Sequence, residues 1–121
     1  MKQVILILML LFIMPVANAN ANDNDIQDNW KPIVVEATAY TRFDESCGDY
    51  TANGNLVEHG IISVDPSVIP LGTQVYIPGY GYAVADDTGG AICGYKVDLA
   101  MDSVEDALDF GRRDITIYLI G

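Results

Sequence analysis

Cations are scarce in this chain. Its 121 residues hold 6 Lys and Arg against 17 Asp and Glu, with one His, one Trp and two Cys. So few basic residues exclude a nucleic-acid binder, whose footprint is a basic patch. They also disfavour adsorption to an anionic membrane surface. An acidic surface remains compatible with an uncharged polymer such as a glycan. Two cysteines and the lone His59 make a poor zinc set, because structural zinc takes four ligands. The ordered oxygen-ligand spacing of an EF-hand is missing as well, so neither a metal nor a cofactor is expected. There are no internal repeats, and only the N-terminal apolar run approaches the roughly 20 residues that span a bilayer.

That run belongs to an export signature. Lys2 precedes "VILILMLLFIMPVA", and small residues alternate in "ANANA". A basic start, a short apolar stretch and an A-x-A pattern predict a signal peptide over residues 1–19, cut near 19/20 or 21/22. Without Lys2 the balance is 5 basic against 17 acidic residues, a net charge of −12. The polar leader over 20–32 carries part of that charge and reads as a flexible tail. The remaining residues, 33–121, suffice for one domain with one core. The expected product is an exported, soluble monomer with no stable membrane insertion. Two cysteines in an exported chain most simply pair, so Cys47–Cys93 is the expected disulfide, with thiols as the alternative.

Strand signals dominate the domain. "IVVEATAYT" (33–41), "IISVD" (61–65), "TQVYIP" (73–78), "GYAVADD" (81–87), "YKVDLA" (95–100) and "DITIYLI" (114–120) are short, apolar or alternating. Gly, Pro and Asn clusters punctuate them. One helix is signalled: Ser103 and Asp106 resemble a capping box, Val104, Ala107 and Leu108 share a face, and Gly111 stops it. Six short strands and one helix predict a mainly β fold, a small closed barrel in which no sheet edge is left open. An open sandwich fits nearly as well.

Aspartates carry the chemistry. Alternation along "AVADD" sends Asp86 and Asp87 to opposite faces. If Ala83 and Ala85 face the core, Asp87 points with them to the barrel mouth and Asp86 to solvent. Asp98 sits within "KVDLA", where strand propensity disfavours it, and Asp65 ends a third apolar strand. Convergence of these strand ends would produce a partly desolvated cluster in which one carboxyl stays protonated. A general acid acting on a glycosidic oxygen needs that state. The bland alternative is a set of turn-capping carboxylates. Asp87-Thr88-Gly89 also echoes an aspartic protease, but such an enzyme needs two of these loops, and Asp86 stands where an apolar residue is required.

The segments "ATAYT", "TANG", "GIISVDPSVIPLGTQVYIPGYGYAVADDTGGAICGYKVDLAMDS" and "ALDFGRRDITIYLI" closely resemble the 3D domain, named for three aspartates. That domain occurs in stationary-phase survival-type muralytic proteins and in the C-terminal part of membrane-bound lytic transglycosylase A. The resemblance runs from about Val35 to Ile120. It implies a six-stranded double-psi β-barrel that cleaves the β-1,4 bond between N-acetylmuramic acid and N-acetylglucosamine of peptidoglycan, leaving a 1,6-anhydro end. It implies Asp98 as the catalytic acid, Asp87 as its essential partner and Asp65 as the third member. Tyr40, Thr41, Thr88, Gly89 and Gly90 would touch the glycan. Cys93 departs from the family pattern, which has a lysine there. A glycan-binding module without activity is the alternative function, and a protein partner for wall targeting is compatible with either.

Other residues read as structural. His59 lies in a turn-like "LVEHG" and is expected at the surface. Tyr76, Tyr80, Tyr82 and Tyr95 are expected around the groove, in packing or sugar-stacking roles. Arg112 and Arg113 follow the helix and favour its C-terminal dipole, and Glu36 is a surface charge.

Overall fold

The computed structural model describes residues 26–44 and 47–120. The expected signal peptide, its cleavage points and the start of the leader lie outside those residues. Strand β1 spans Lys31–Tyr40, β2 Ile61–Val64, β3 Gln74–Ile77, β4 Gly81–Asp87, β5 Lys96–Ala100 and β6 Arg113–Ile120, with helix α1 at Val104–Phe110. All six expected strands and the helix form. The strands close into a barrel in the order β1-β5-β2-β4-β3-β6, so every strand edge is paired. β1–β5 and β2–β4 pair in parallel, and the other four pairings are antiparallel.

Period-two alternation explains the core. Val35, Ala37, Ile62, Val64, Val75, Ile77, Ala83, Ala85, Val97, Leu99 and Ile117 are all buried in one cluster, the same-face set of each strand. Burying each large aliphatic among them contributes about 1.5–3 kcal/mol. Trp30 is only 8% exposed and packs against Tyr76 and Tyr82, with ring centroids 5.7 and 6.1 Å away. Order therefore reaches back into the expected leader, and β1 starts at Lys31 rather than Ile33.

The helix follows its caps. Ser103 Oγ accepts a bond from the Asp106 N–H at 3.1 Å. Gly111, at a left-handed φ of 67°, returns its N–H to the Ala107 carbonyl and ends the helix. Arg113 donates to the Phe110 carbonyl at 2.8 and 3.2 Å, as the helix-dipole reading expects. Arg112 instead pairs with Glu36 at 2.9 Å. Of the anticipated apolar face, Ala107 packs on the core. Val104 and Leu108 stay exposed, along a shallow apolar groove with Ala39 and Phe43. Among the described residues no helix is long and apolar enough to cross a membrane.

Candidate active site

One row across four neighbouring strands builds the site. Thr38 of β1 lies opposite Asp98 of β5, Asp98 opposite Ser63 of β2, and Ser63 opposite Asp87 of β4. Val97 and Leu99, on either side of Asp98, point into the core, so Asp98 stands on the other face of the sheet. Tyr40, two residues beyond Thr38, shares that face.

A bulge admits Asp87 to the row. Ile62 opposes Ala85, yet Ser63 opposes Asp87, so Asp86 is passed over and the register shifts. Two residues of β4 thus face one of β2, and the side chains after that point change face. Simple alternation would have left Asp87 on the core side with Ala83 and Ala85. The bulge re-aims it toward Asp98.

Above the row opens a cleft of about 260 Å³, floored by Tyr40, Ser63, Asp87 and Asp98 and walled by Cys47, Tyr50, Gly89 and Ile92. Asp98 is half-buried, and burial, the largest influence, pushes its carboxyl above the usual carboxylate range. The negative charge of Asp87 adds to that push, while the Thr38 hydroxyl, donating to Oδ1 at 2.9 Å, and Arg112 oppose it. Asp87 is fully engaged. Its Oδ2 accepts the Tyr40 hydroxyl at 3.1 Å, and its Oδ1 accepts the Ala52 and Thr88 N–H groups, each at 2.9 Å. Burial and the nearby carboxylates raise the Tyr40 phenol far above its ordinary value, so it remains a donor at any working pH. Replacing Tyr40 with Phe deletes that donor. The variant is expected to lose about 1–2 kcal/mol in denaturant unfolding, with the fold intact.

Asp86 corrects an expectation. It does not face solvent: it is 4% exposed. The Thr51 hydroxyl reaches Oδ2 at 2.7 Å, the Asn55 amide reaches Oδ2 at 2.7 Å and the Asn53 amide reaches Oδ1 at 3.0 Å. The 51–55 loop covers it, and burial, the largest single influence, pushes its carboxyl up. The three bonds from Asn55, Asn53 and Thr51 together outweigh it and hold the carboxyl below the usual range. The "TANG" segment is thus latched onto the end of β4. The same loop supplies the Ala52 N–H to Asp87.

Asp65 is not part of the cleft lining. Its Oδ1 accepts both the Ser67 N–H at 2.9 Å and the Ser67 hydroxyl at 2.7 Å. Its Oδ2 accepts the Gly94 N–H at 2.7 Å, and these bonds, Gly94 first, hold its carboxyl low. Gly94 reaches that position through a φ of 73°, which disfavours any side chain. Asp65 therefore tethers the 88–94 loop that walls the cleft, and it lies outside the lining that holds Asp87 and Asp98. An Asp65→Ala variant is expected to speed amide hydrogen exchange throughout 88–94 at least tenfold, with β1 and β5 protection unchanged.

The remaining expected contacts divide. Thr88 and Gly89 line the cleft. Gly90 lies outside the lining, and Thr41 is 2% exposed and borders the apolar groove instead. A Cβ on Gly89 would sit 3.2 Å from Ile92 Cγ1, so any larger residue there needs the Ile92 side chain to give way. No disulfide joins Cys47 to Cys93. Cys47 is part of the cleft wall, whereas the exposed Cys93 turns its sulfur to the Gly90 carbonyl at 3.6 Å. Tyr76, Tyr80 and Tyr82 pack away from the cleft, with Tyr80 hydrogen-bonded between Gly60 and Ala100, and Tyr95 is absent from its lining. His59 is exposed and stacks on Tyr80 at 4.0 Å. The aromatic residues that do line the cleft are Tyr40 and Tyr50. Tyr50 had no signal beyond its place two residues before "ANG". Among the described residues no group of three His, Cys, Asp or Glu side chains is placed to hold a metal ion.

Known proteins contain similar chains. The chain is 42% identical over 98 residues to the cell wall-binding protein YocH of Bacillus subtilis strain 168, covering 78% of this chain and 34% of YocH. It is 39% identical over 94 residues to the SPbeta prophage-derived uncharacterized protein YorM of the same strain, covering 69% of this chain and 40% of YorM. The chain thus spans well under half the length of either relative. Among solved structures, MltA from Escherichia coli superposes with a TM-score of 0.49 and 24% identity over 60% of this chain and 27% of that one. The model of the 3D domain matches residues 60–121, just over half of the sequence and the stretch that carries Ser63, Asp65, Asp87 and Asp98, so the chain belongs to the 3D domain family.

Proposed function

We propose that this domain acts on peptidoglycan as a lytic transglycosylase, cleaving the β-1,4 bond between N-acetylmuramic acid and N-acetylglucosamine. The observation that carries this reading is Asp98: a half-buried carboxyl on the floor of a cleft, held above the usual range, with Asp87 beside it in one strand row. In that role Asp98 gives its proton to the glycosidic oxygen as the bond from that oxygen to C1 of the muramic acid breaks. The resulting carboxylate takes the proton from the C6 hydroxyl, whose oxygen bonds to C1 and closes the 1,6-anhydro ring. The acid is regenerated and no water is consumed, so one carboxyl serves both steps. Burial first, and the negative charge of Asp87 in addition, favour the protonated form of Asp98. Asp65 acts at one remove, by holding the loop that bears Thr88 and Gly89. Tyr50 and Tyr40 supply ring faces and a hydroxyl along the cleft. An exported chain meeting the wall is the setting this reading requires, and it agrees with the sequence signature at residues 1–19.

A second reading, a peptidoglycan-binding module without chemistry, is favoured by the 42% identity to a relative named cell wall-binding. Product chemistry separates the two. Wild-type protein incubated with purified sacculi should release muropeptides one water lighter than hydrolysis products. Release of free reducing ends would instead indicate a hydrolase. Cosedimentation without release would indicate the binding module.

A further inference from the structure

We propose that Thr38 is the positioning residue for Asp98, fixing which carboxyl oxygen bears the acid proton. The inference rests on the transglycosylase reading for its consequence and on geometry for its substance. Thr38 lies directly opposite Asp98 in the parallel β1–β5 pair. Its Oγ1 is 2.9 Å from Asp98 Oδ1 and 3.5 Å from the Val97 carbonyl. A hydroxyl has one proton to donate, and the shorter contact takes it. With Oδ1 occupied as an acceptor, the proton of the neutral acid resides on Oδ2.

The rest of the surroundings leave this task to Thr38. Facing Asp98 are Asp87 from β4, Arg112 from the segment after α1 and Asp44 from the loop after β1. Each acts on Asp98 through charge and none makes a hydrogen bond to its carboxyl. Thr38 is the neighbour with a directional bond to the carboxyl. Being β-branched, it is stiff at χ1 within a strand, which suits it to holding one orientation. Tyr40 plays the matching part for Asp87, two residues along the same face. β1 therefore presents two hydroxyls, one to each carboxylate.

Two variants test this. Thr38→Val keeps the shape and removes the hydroxyl, while Thr38→Ser keeps the hydroxyl and removes the methyl. Carbon-13 NMR titration of the Asp98 carboxyl reads the bond directly. Loss of a donor to the ionised form should move the Asp98 midpoint upward in Thr38→Val, and Thr38→Ser should restore it toward wild type. On sacculi, kcat for anhydro-product release should fall about ten- to a hundredfold in Thr38→Val, the size of a misoriented catalytic group. KM should hardly change, and Thr38→Ser should recover most of the rate. A midpoint unchanged in Thr38→Val overturns the proposal, as does a Thr38→Ser variant that titrates like Thr38→Val. If wild-type protein releases no product, the transglycosylase reading fails by itself, and the titration still decides the role of Thr38.

Discussion

Replacing Asp98 with Asn is expected to cut anhydro-product release by a factor of about 10²–10⁴, the usual contribution of a general acid–base group, while making the protein more stable. The two effects share one cause. Burial and the charge of Asp87 penalise the ionised carboxyl of the wild type. A group whose pKa is raised by folding costs stability once the pH passes that raised value. The amide carries no charge, and its oxygen can still accept the Thr38 hydroxyl. Asp98→Asn should therefore melt a few degrees above wild type at neutral pH. The gain should vanish below about pH 4, where Asp98 is protonated in both folded and unfolded chains. Simple loss of structure would lower Tm and activity together. The same raised carboxyl predicts an alkaline limb in the wild-type rate profile, with activity falling as Asp98 ionises. Asp87→Asn should move that limb to lower pH by removing the charge that holds Asp98 protonated.

Asp86→Ala has the largest expected effect on stability. It strips the shared acceptor from Thr51, Asn53 and Asn55 at once, at a cost of about 2–3 kcal/mol for bonds to a charged, covered group. In a domain this small, that lowers Tm by about 10 °C or more. The damage should also reach the site, because the unlatched loop carries the Ala52 N–H that holds Asp87. Asp86→Asn should be intermediate, since its amide keeps one acceptor oxygen but adds donors facing two asparagines. The sign with pH is the reverse of that at Asp98. Hydrogen bonds hold the Asp86 carboxyl low, so its contribution is complete above the ordinary carboxylate range and is lost as pH falls through the lowered value. The gap between wild type and Asp86→Asn should close in acid, measured as Tm against pH.

How far each feature was legible follows from the range of the interactions behind it. Strands alternating as in "KVDLA" or "TQVYIP" announce themselves, because period two is a local property. The helix was equally local, written in Ser103, Asp106 and Gly111. Asp98 stood out for a related reason: a carboxylate flanked by Val97 and Leu99 violates the pattern it sits in. The fate of the Asp86-Asp87 pair was not local. A bulge opposite Ser63 decides which of the two enters the site, and nothing in "AVADD" marks it. Asp86 is covered by a loop some 30 residues earlier in the chain. Asp65 is expected beside the other two aspartates, yet its bonds to Ser67 and Gly94 tie it to the cleft's wall rather than its lining, and Gly94 lies 29 residues later in the chain. Among the tyrosines the sequence offered no means to tell Tyr50, on the cleft, from Tyr76, sealed beneath Trp30. The expected Cys47–Cys93 bridge rested on a count of thiols, which says nothing about where either sulfur points.

Whether Asp98 is a half-buried acid that performs chemistry on glycan strands is decided by one paired measurement. Wild-type protein and Asp98→Asn are incubated with the same sacculi. Bound protein is quantified by sedimentation, and soluble fragments are identified by mass spectrometry. Equal binding is expected, with 1,6-anhydro muropeptides from the wild type and at least about a hundredfold less from the variant. Equal release from both proteins, or binding with no soluble fragment from the wild type, would contradict that role for Asp98.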